Sequence, residues 1–216
     1  MTDAKRRIAA ILSADVVSYS RLMGSDERAT LSALNSSRAV FREHISAHDG
    51  RVVDTSGDSV LAVFGSVVEA VLCALEVQQS IAILNAPLVS ERWMQFRIGV
   101  NLGDVIEQED GTVYGDGVNI AARLESLAQP GGITVSGQVH DFIEGKIQQT
   151  IEFIGEHEVK NIVRPIRVYQ IGQPAEPENA NQAVASTHSA DQVPNRPSIA
   201  VLPFTNMSDD ADEIYF

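Results

Sequence analysis

The sequence predicts an α+β fold, in which helices pack on a β-sheet. Short apolar or alternating runs, typical of strands, are interleaved with longer runs whose apolar residues recur at helical spacing. The first six elements follow the order β-α-β-β-α-β, and further strand-like segments come after them. This order favours a ferredoxin-like βαββαβ sandwich with extra C-terminal strands.

Each element is predicted from its local pattern and from its end signals. Residues 8–17 are mostly apolar and favour a buried strand, whereas residues 18–48 have helical spacing with an internal start signal at residues 25–27. Ser136 is expected to cap a helix that runs to Ile143. The other predicted elements are a hairpin (51–64), a helix (66–84), a strand (94–106), a helix after the glycines at 115 and 117, a strand (133–135) and two or three strands within 150–171.

Composition narrows the classes of partner and compartment. The 216 residues are 44% hydrophobic with a net charge of −13, which argues against a nucleic-acid backbone or an anionic membrane as partner. Cys73, the single cysteine, lies in an apolar run and is expected to be a core residue, which fits a reducing compartment such as the cytoplasm. Neither a signal peptide nor a stretch of about 18 apolar residues is evident, so the chain is expected to be soluble.

The composition also changes along the chain. Residues 1–172 have the patterning of one folded domain. Residues 173–197 are rich in Pro, Glu, Asn, Ala and Gln and are predicted to be a disordered linker. Residues 198–216 begin with a strand-like run and are too few for a domain, so they are interpreted as the truncated start of a further module.

Two carboxylates are candidates for a metal site. Asp15 lies near the C-terminal end of the first predicted strand, and Asp58 lies in the turn of a hairpin expected to pair beside that strand. Two carboxylates with open coordination suit Mg²⁺ or Mn²⁺ when substrate phosphates complete the shell. The simpler interpretations are a helix cap or an ion pair for Asp15, and an ordinary turn residue for Asp58.

The helix after residues 113–117 carries a second candidate group. Asp116, Asn119, Arg123 and Ser126 recur at three- and four-residue steps and therefore share one face. An amide and a guanidinium one turn apart could hold a sugar and a phosphate. The alternative is the solvated face of an ordinary amphipathic helix.

Four segments, in this order, resemble the signature segments of class III nucleotidyl cyclases. They are residues 13–20 (SADVVSYS), 54–58 (DTSGD), 96–103 (FRIGVNLG) and 114–124 (YGDGVNIAARL). The resemblance covers roughly residues 6–172. It implies the class III cyclase fold and conversion of a nucleoside triphosphate, usually ATP, into a 3′,5′-cyclic nucleotide and pyrophosphate.

The resemblance also implies how the site is built. Asp15 and Asp58 would bind two Mg²⁺ or Mn²⁺ ions with help from the Val16 carbonyl, and the ions would assist attack of the ribose 3′-OH on the α-phosphate. Family members are dimers with sites at the interface, so a second copy of the chain would supply Asn119 to orient the ribose and Arg123 to stabilise charge on the α-phosphate.

Further residues match the positions that hold the triphosphate in the family. The backbone amides of Val17, Ser18, Tyr19 and Ser20 would cradle the β- and γ-phosphates. Arg97 and Lys160 match positions that often reach the triphosphate, although for Lys160 a solvated strand lysine is an equal alternative.

Two positions depart from the adenylate-specific pattern. Asp54 stands where such members have an adenine-reading Lys, and Thr112 stands where they have its partner Asp. A carboxylate cannot donate to adenine N1 unless it is protonated, but it can accept from an exocyclic amine of adenine or guanine. ATP is favoured on family frequency alone, and GTP remains the alternative.

Three functions therefore stay open at this stage. The first is an active cyclase in bacterial intracellular signalling, with a regulatory module beyond residue 216. The second is a catalytically weak, nucleotide-binding regulatory homologue, which Asp54 supports. The third is a structural dimerisation module that binds no nucleotide.

Overall fold

A computed structural model describes residues 5–158 and 165–172. Its elements follow the predicted order, and the internal break at residues 25–27 is confirmed because Asp26 caps a second helix with a bond from the Ala29 amide. Ser136 likewise caps the last helix through the Val139 amide. The elements are β1 (Lys5–Val16), α1 (Tyr19–Ser25), α2 (Glu27–Ala47), β2 (Arg51–Asp54), β3 (Val60–Phe64), α3 (Val67–Asn85), a 3-10 turn (Ser90–Arg92), β4 (Phe96–Glu107), β5 (Val113–Tyr114), α4 (Asp116–Leu127), β6 (Ile133–Ser136), α5 (Gly137–Ile143), β7 (Ile151–His157) and β8 (Ile166–Ile171).

The eight strands form one sheet in the order β2-β3-β1-β4-β6-β8-β7, and β5 pairs with β4. The first four strands pair antiparallel in the order β2-β3-β1-β4, which is the ferredoxin-like arrangement of a βαββαβ unit. Strand β6 joins β4 in parallel and carries β8 and β7 as the additional C-terminal strands. The predicted fold is therefore confirmed.

From Ala9 onward both faces of β1 are buried, which explains the nearly continuous apolar sequence there. Ala10, Leu12 and Ala14 belong to the larger core, in which helices α2, α3 and α5 cover one face of the sheet. Ala9 and Ile11 belong to a smaller core on the other face, together with Ala121 of helix α4. Helix α4 is thus separated by the sheet from the other long helices.

Helix α4 lies unusually close to strand β4. A Cβ added at Gly99 would lie 2.2 Å from the Glu125 amide nitrogen and 2.3 Å from the Ala121 carbonyl oxygen. No side chain other than hydrogen fits in that space, so Gly99 sets the distance of α4 from the sheet.

Helix α3 is long and apolar enough to cross a membrane by length and composition. The expectation that no stretch of the chain meets that criterion is therefore wrong. Core helices meet the same criterion, and Val71, Cys73, Ala74 and Val77 of α3 are fully buried in the larger core. Burial also raises the pKa of the Cys73 thiol to about 12, in keeping with its predicted role as a core residue.

Some predictions fall outside the described residues. These are the linker at 173–197, the truncated module at 198–216 and the candidate phosphate ligand Lys160.

Candidate active site

Asp15 lies one residue before the end of β1, directly opposite Arg97 of β4. The two side chains form an ion pair with 3.5 Å between Arg97 Nη2 and Asp15 Oδ2, and each is partly exposed. Burial and the negative charge of Asp58 raise the pKa of Asp15, and Arg97 opposes that rise. The influence of Asp58 shows that the two predicted metal carboxylates lie near each other.

Asp58 is brought there by the turn between β2 and β3. Strand β3 pairs with β1 up to Ala14, so the turn that precedes β3 lies at the same end of the sheet as Asp15. Gly57 adopts a left-handed conformation with φ of 62°, which glycine provides without strain. The hairpin therefore places Asp58 as the sequence predicted.

The side chain of Asp54 stabilises the same turn. Its Oδ1 accepts hydrogen bonds from the Ser56 amide (3.0 Å) and the Ser56 hydroxyl (2.8 Å). This is an Asx-type turn, in which a short carboxylate caps the backbone two residues further on. One carboxylate oxygen of Asp54 is thus committed to the turn, which leaves Oδ2 as the acceptor for the predicted contact with the base.

Thr112 lies in the turn between β4 and β5. Its amide donates to Asp110 Oδ1 at 2.8 Å, and Arg51 of β2 donates to the neighbouring Gly111 carbonyl at 2.9 Å. Arg51 also pairs with Glu107 at 2.5 Å. These contacts tie the turn that carries Thr112 to the strand that carries Asp54, although no hydrogen bond joins Thr112 to Asp54 themselves among the described residues.

The predicted phosphate cradle is shorter than expected. The Val17 amide donates to the Gln95 carbonyl at 2.8 Å, because the chain there continues the pairing of β1 with β4. Val17 therefore has no amide to offer a phosphate, and its predicted role is wrong. Ser18 is left-handed (φ 55°) and precedes helix α1, so the amides available to an anion are those at residues 18–20.

Glu125 is a residue of this region that the sequence interpretation missed. It lies on α4 with its side chain 11% exposed, and its Oε1 is 3.5 Å from Arg97 Nε. Neither of these two atoms has a hydrogen-bond partner among the described residues. Burial and the charge of Asp15 raise the pKa of Glu125 to about 7. Its position four residues after the buried Ala121 was the available signal, since one helical turn repeats the same face.

Asn119 and Arg123 occupy the outer face of α4. Both residues are exposed, as the helical spacing predicted, along with Asp116 and Ser126. The side chains of Asn119 and Arg123 make no hydrogen bond or ion pair with any residue in 5–158 or 165–172. They are thus presented outward, apart from the Asp15 and Asp58 carboxylates. Asn101, fully buried, anchors the start of the helix by donating to the Gly117 carbonyl at 3.1 Å.

The donor set around Asp15 suits a hard divalent cation. In the part of the chain that the structure describes, no group of three or more His, Cys, Asp or Glu is placed to hold a metal. Mg²⁺ and Mn²⁺ sites that act on nucleotides need fewer protein ligands, since one or two carboxylates suffice when phosphate oxygens and water complete the coordination shell. Asp15 and Asp58, with their mutual repulsion, meet that requirement.

A sandwich of this topology, with paired carboxylates at the end of β1 and in the β2–β3 turn, is of the class III nucleotidyl cyclase type. Residues 3–173 match the family model described as the adenylate and guanylate cyclase catalytic domain. The chain belongs to that family.

Individual relatives agree with this assignment. The chain is 44% identical over 218 residues to a protein of Rhizobium meliloti (strain 1021) that carries the provisional name adenylate cyclase 3, a match that covers 98% of this chain and 36% of that protein. This chain therefore spans about a third of that relative's length.

Solved structures show the same relationship. An adenylate/guanylate cyclase/hydrolase from Silicibacter pomeroyi superposes with a TM-score of 0.73 at 40% identity, covering 78% of this chain and 98% of that one. The adenylyl cyclase CyaB from P. aeruginosa superposes with a TM-score of 0.69 over 79% of this chain and 96% of its own. At 21% identity, this second likeness concerns the fold alone.

Proposed function

We propose that the chain is an active nucleotidyl cyclase that converts ATP into 3′,5′-cyclic AMP and pyrophosphate. The observation that carries the proposal is the placement of Asp15 and Asp58 at one end of the sheet, with Arg97 beside Asp15, in a chain of this family. A structural dimerisation module would have no need for two partly buried carboxylates, one of which has its pKa raised by the charge of the other.

Asp15 and Asp58 would hold two Mg²⁺ or Mn²⁺ ions, with the Val16 carbonyl as a further ligand. Bound there, the ions would lower the pKa of the ribose 3′-hydroxyl and neutralise charge on the departing pyrophosphate.

The chain's own residues would do the rest by positioning and by charge. The amides at residues 18–20 and the guanidinium of Arg97 would bind the β- and γ-phosphates. Asn119 would orient the ribose so that its 3′-oxygen faces the α-phosphorus. As the new 3′-O–P bond forms, the bond from the α-phosphorus to the bridging oxygen breaks, pyrophosphate leaves with that bond's electrons, and the hydroxyl proton passes to solvent. Arg123 would stabilise the charge that grows on the α-phosphate oxygens.

A homodimer would bring the two halves of the site together. Asn119 and Arg123 face outward on α4, whereas Asp15, Asp58 and Arg97 lie at the end of the sheet. A second copy of the chain would place its α4 face over those carboxylates, so that each dimer has two shared sites.

Guanylate cyclase activity is the second candidate, and Asp54 is the observation that favours it. Because Oδ1 of Asp54 is held by Ser56, only an acceptor oxygen remains for a base. Guanine offers such an oxygen two donors, its N1–H and its amine, whereas adenine offers only its amine, because adenine N1 is itself an acceptor.

A direct turnover assay on the full 216-residue chain tests the proposal. ATP and GTP are offered separately with Mn²⁺, cyclic product is quantified by mass spectrometry, and the Asp58→Ala variant is the control. Cyclic AMP made from ATP by the wild type but not by Asp58→Ala supports the proposal. If cyclic GMP is the only product, the guanylate alternative replaces the proposal. Nucleotide binding without product from either substrate would indicate a regulatory homologue.

A further inference from the structure

Arg38 of helix α2 contacts the turn that carries Asp58. Its Nη2 donates to the Thr55 carbonyl oxygen at 2.6 Å and also to the Gly57 carbonyl oxygen. These two carbonyls flank Ser56, so a single guanidinium spans the tip of the β2–β3 turn. Charge-assisted bonds of this kind are stronger than bonds between neutral groups.

The inside of the turn is already held by its own side chains. Asp54 accepts from Ser56, and the Ser59 hydroxyl donates to the Ser56 carbonyl at 2.8 Å. The turn is therefore a small rigid unit, and its remaining freedom is its position relative to the rest of the domain. Arg38 fixes that position from a helix whose Phe41 and Ile45 are fully buried in the core.

The guanidinium of Arg38 is only partly hydrogen-bonded. Its Nε is buried and has no hydrogen-bond partner among the described residues. Burial of an unpaired polar atom is unfavourable, and the two hydrogen bonds from Nη2 to the turn offset that cost. Asp58 is the next residue after Gly57, and any shift of the Gly57 carbonyl moves the backbone that carries it.

We propose that Arg38 is a positioning residue of the metal site, which holds the β2–β3 turn so that the Asp58 carboxylate stays beside Asp15. This inference rests on the proposed function, because it assumes that Asp58 binds a metal ion. In this role Arg38 acts through the backbone of the turn and not as a ligand of the metal or the nucleotide. Both bonds come from the single nitrogen Nη2, and a lysine side chain, which is one bond shorter than that reach, could keep them only in part.

The test uses the full chain and Mn²⁺ alone, with bound ion measured by electron paramagnetic resonance. The variants are Arg38→Gln and Arg38→Lys, and Asp58→Asn is the reference that removes a ligand. Arg42→Gln is the matched control, since Arg42 lies one helical turn further along α2, is exposed and makes no side-chain hydrogen bond among the described residues. Thermal unfolding of every variant is measured in parallel.

Arg38→Gln is expected to weaken Mn²⁺ binding about tenfold or more, the usual effect of losing a residue that orients a metal ligand. Arg38→Lys should lose affinity only in part, and Arg42→Gln should bind as the wild type does. The Tm of Arg38→Gln should fall by no more than about 5 °C, because water can replace the guanidinium at the exposed turn. At high Mn²⁺ concentration the turnover of Arg38→Gln should recover, whereas that of Asp58→Asn should not.

The possible failures are distinguishable. If the wild type binds no Mn²⁺ and turns over no nucleotide, the proposed function fails and this inference fails with it. If Asp58→Asn weakens Mn²⁺ binding but Arg38→Gln does not, the positioning role is wrong and the proposed function stands. A large fall in Tm without a separate loss of Mn²⁺ affinity would make Arg38 a purely structural residue. If Arg38→Gln does not fold, Arg38→Lys carries the test. The inference is then overturned if Arg38→Lys binds Mn²⁺ as tightly as the wild type does.

Discussion

At the scale of single residues, the site depends on charges that are partly withdrawn from water. Asp15 and Glu125 both have raised pKa values, with burial as the largest cause in each case. Arg97 lies between them, 3.5 Å from an oxygen of each. The guanidinium therefore offsets part of the repulsion among carboxylates that would otherwise destabilise the fold.

Glu125→Gln is expected to change how stability depends on pH. A carboxyl whose pKa rises from 4.5 to about 7 on folding contributes stability that is fully present below pH 4.5 and is lost as the pH rises through about 7. Glutamine does not ionise and so loses no stability as the pH rises. At pH 8 the variant should therefore be more stable than the wild type by about 1–3 kcal/mol. At pH 4 that advantage should be absent.

Denaturant unfolding at pH 4, 6 and 8 in chelator-containing buffer measures the difference. Glu152→Gln is the control, because Glu152 is an exposed residue of β7. A constant difference between Glu125→Gln and the wild type at all three pH values would contradict the buried, proton-binding state of Glu125.

These residues also show where sequence interpretation succeeds and where it stops. Asp15 and Asp58 were predictable, because a strand end and a hairpin turn place them without knowledge of distant contacts. Glu125 and Arg38 were not, because their roles come from partners 28 and 17 or more positions away. The occupied Val17 amide was missed for a similar reason, since only the pairing of β1 with β4 reveals its partner Gln95.

At the scale of elements, helices α2 and α3 are joined by a polar cluster at the surface. His48 contacts Glu69 at 2.6 Å and Glu76 at 3.0 Å, and His44 contacts Glu76 at 3.1 Å. Burial disfavours the charged form of His48, but its bonds to Glu69 and Glu76 outweigh that effect and raise its pKa above 6.5. The cluster therefore strengthens the contact between the two helices when His48 is protonated.

His48→Gln should reveal this contribution through its pH dependence. A raised histidine pKa gives stability that is complete below pH 6.5 and is lost as the pH rises through the raised value. The variant should be less stable than the wild type by about 0.5–1 kcal/mol at pH 5.5, since the acidic partners are half exposed. That deficit should shrink at pH 8.5.

Thermal or denaturant unfolding at the two pH values makes the comparison, with the exposed Glu43→Gln on α2, the helix that ends just before His48, as control. An equal deficit at pH 5.5 and pH 8.5 would mean that His48 contributes by packing and not by charge.

The closeness of α4 to β4 gives a second prediction at this scale. Gly99→Ala must push α4 away from the sheet, because the new methyl group would overlap the backbone at Ala121 and Glu125. We expect a loss of about 3 kcal/mol or more, at the upper end of the cost of overpacking. Gly65→Ala is the matched control, since a Cβ at Gly65 meets nothing within 4 Å. Equal unfolding free energies for the two variants, measured in urea, would contradict the close contact.

At the scale of the whole molecule, the sheet separates the two groups of residues that the proposed site needs. The carboxylates lie at one end of β1 and β3, and the outward face of α4 lies on the opposite side of the sheet from α2 and α3. The fold was predictable from element order, because βαββαβ units have few topologies. The proposed second copy does not follow from residue patterns alone, because an exposed Asn and Arg are compatible with any solvated helix.

The measurement that tests the shared cyclase site most directly mixes two inactive variants. Asp58→Ala lacks a metal ligand and Arg123→Ala lacks the proposed charge stabiliser, so each alone should lose about a hundredfold or more of the activity. Mixed in equal amounts under exchanging conditions, they should regain about a quarter of wild-type activity, because half of the dimers are mixed and each mixed dimer has one intact site. Activity that stays at the level of the single variants, while mixed dimers are demonstrated by native mass spectrometry, would contradict the shared site.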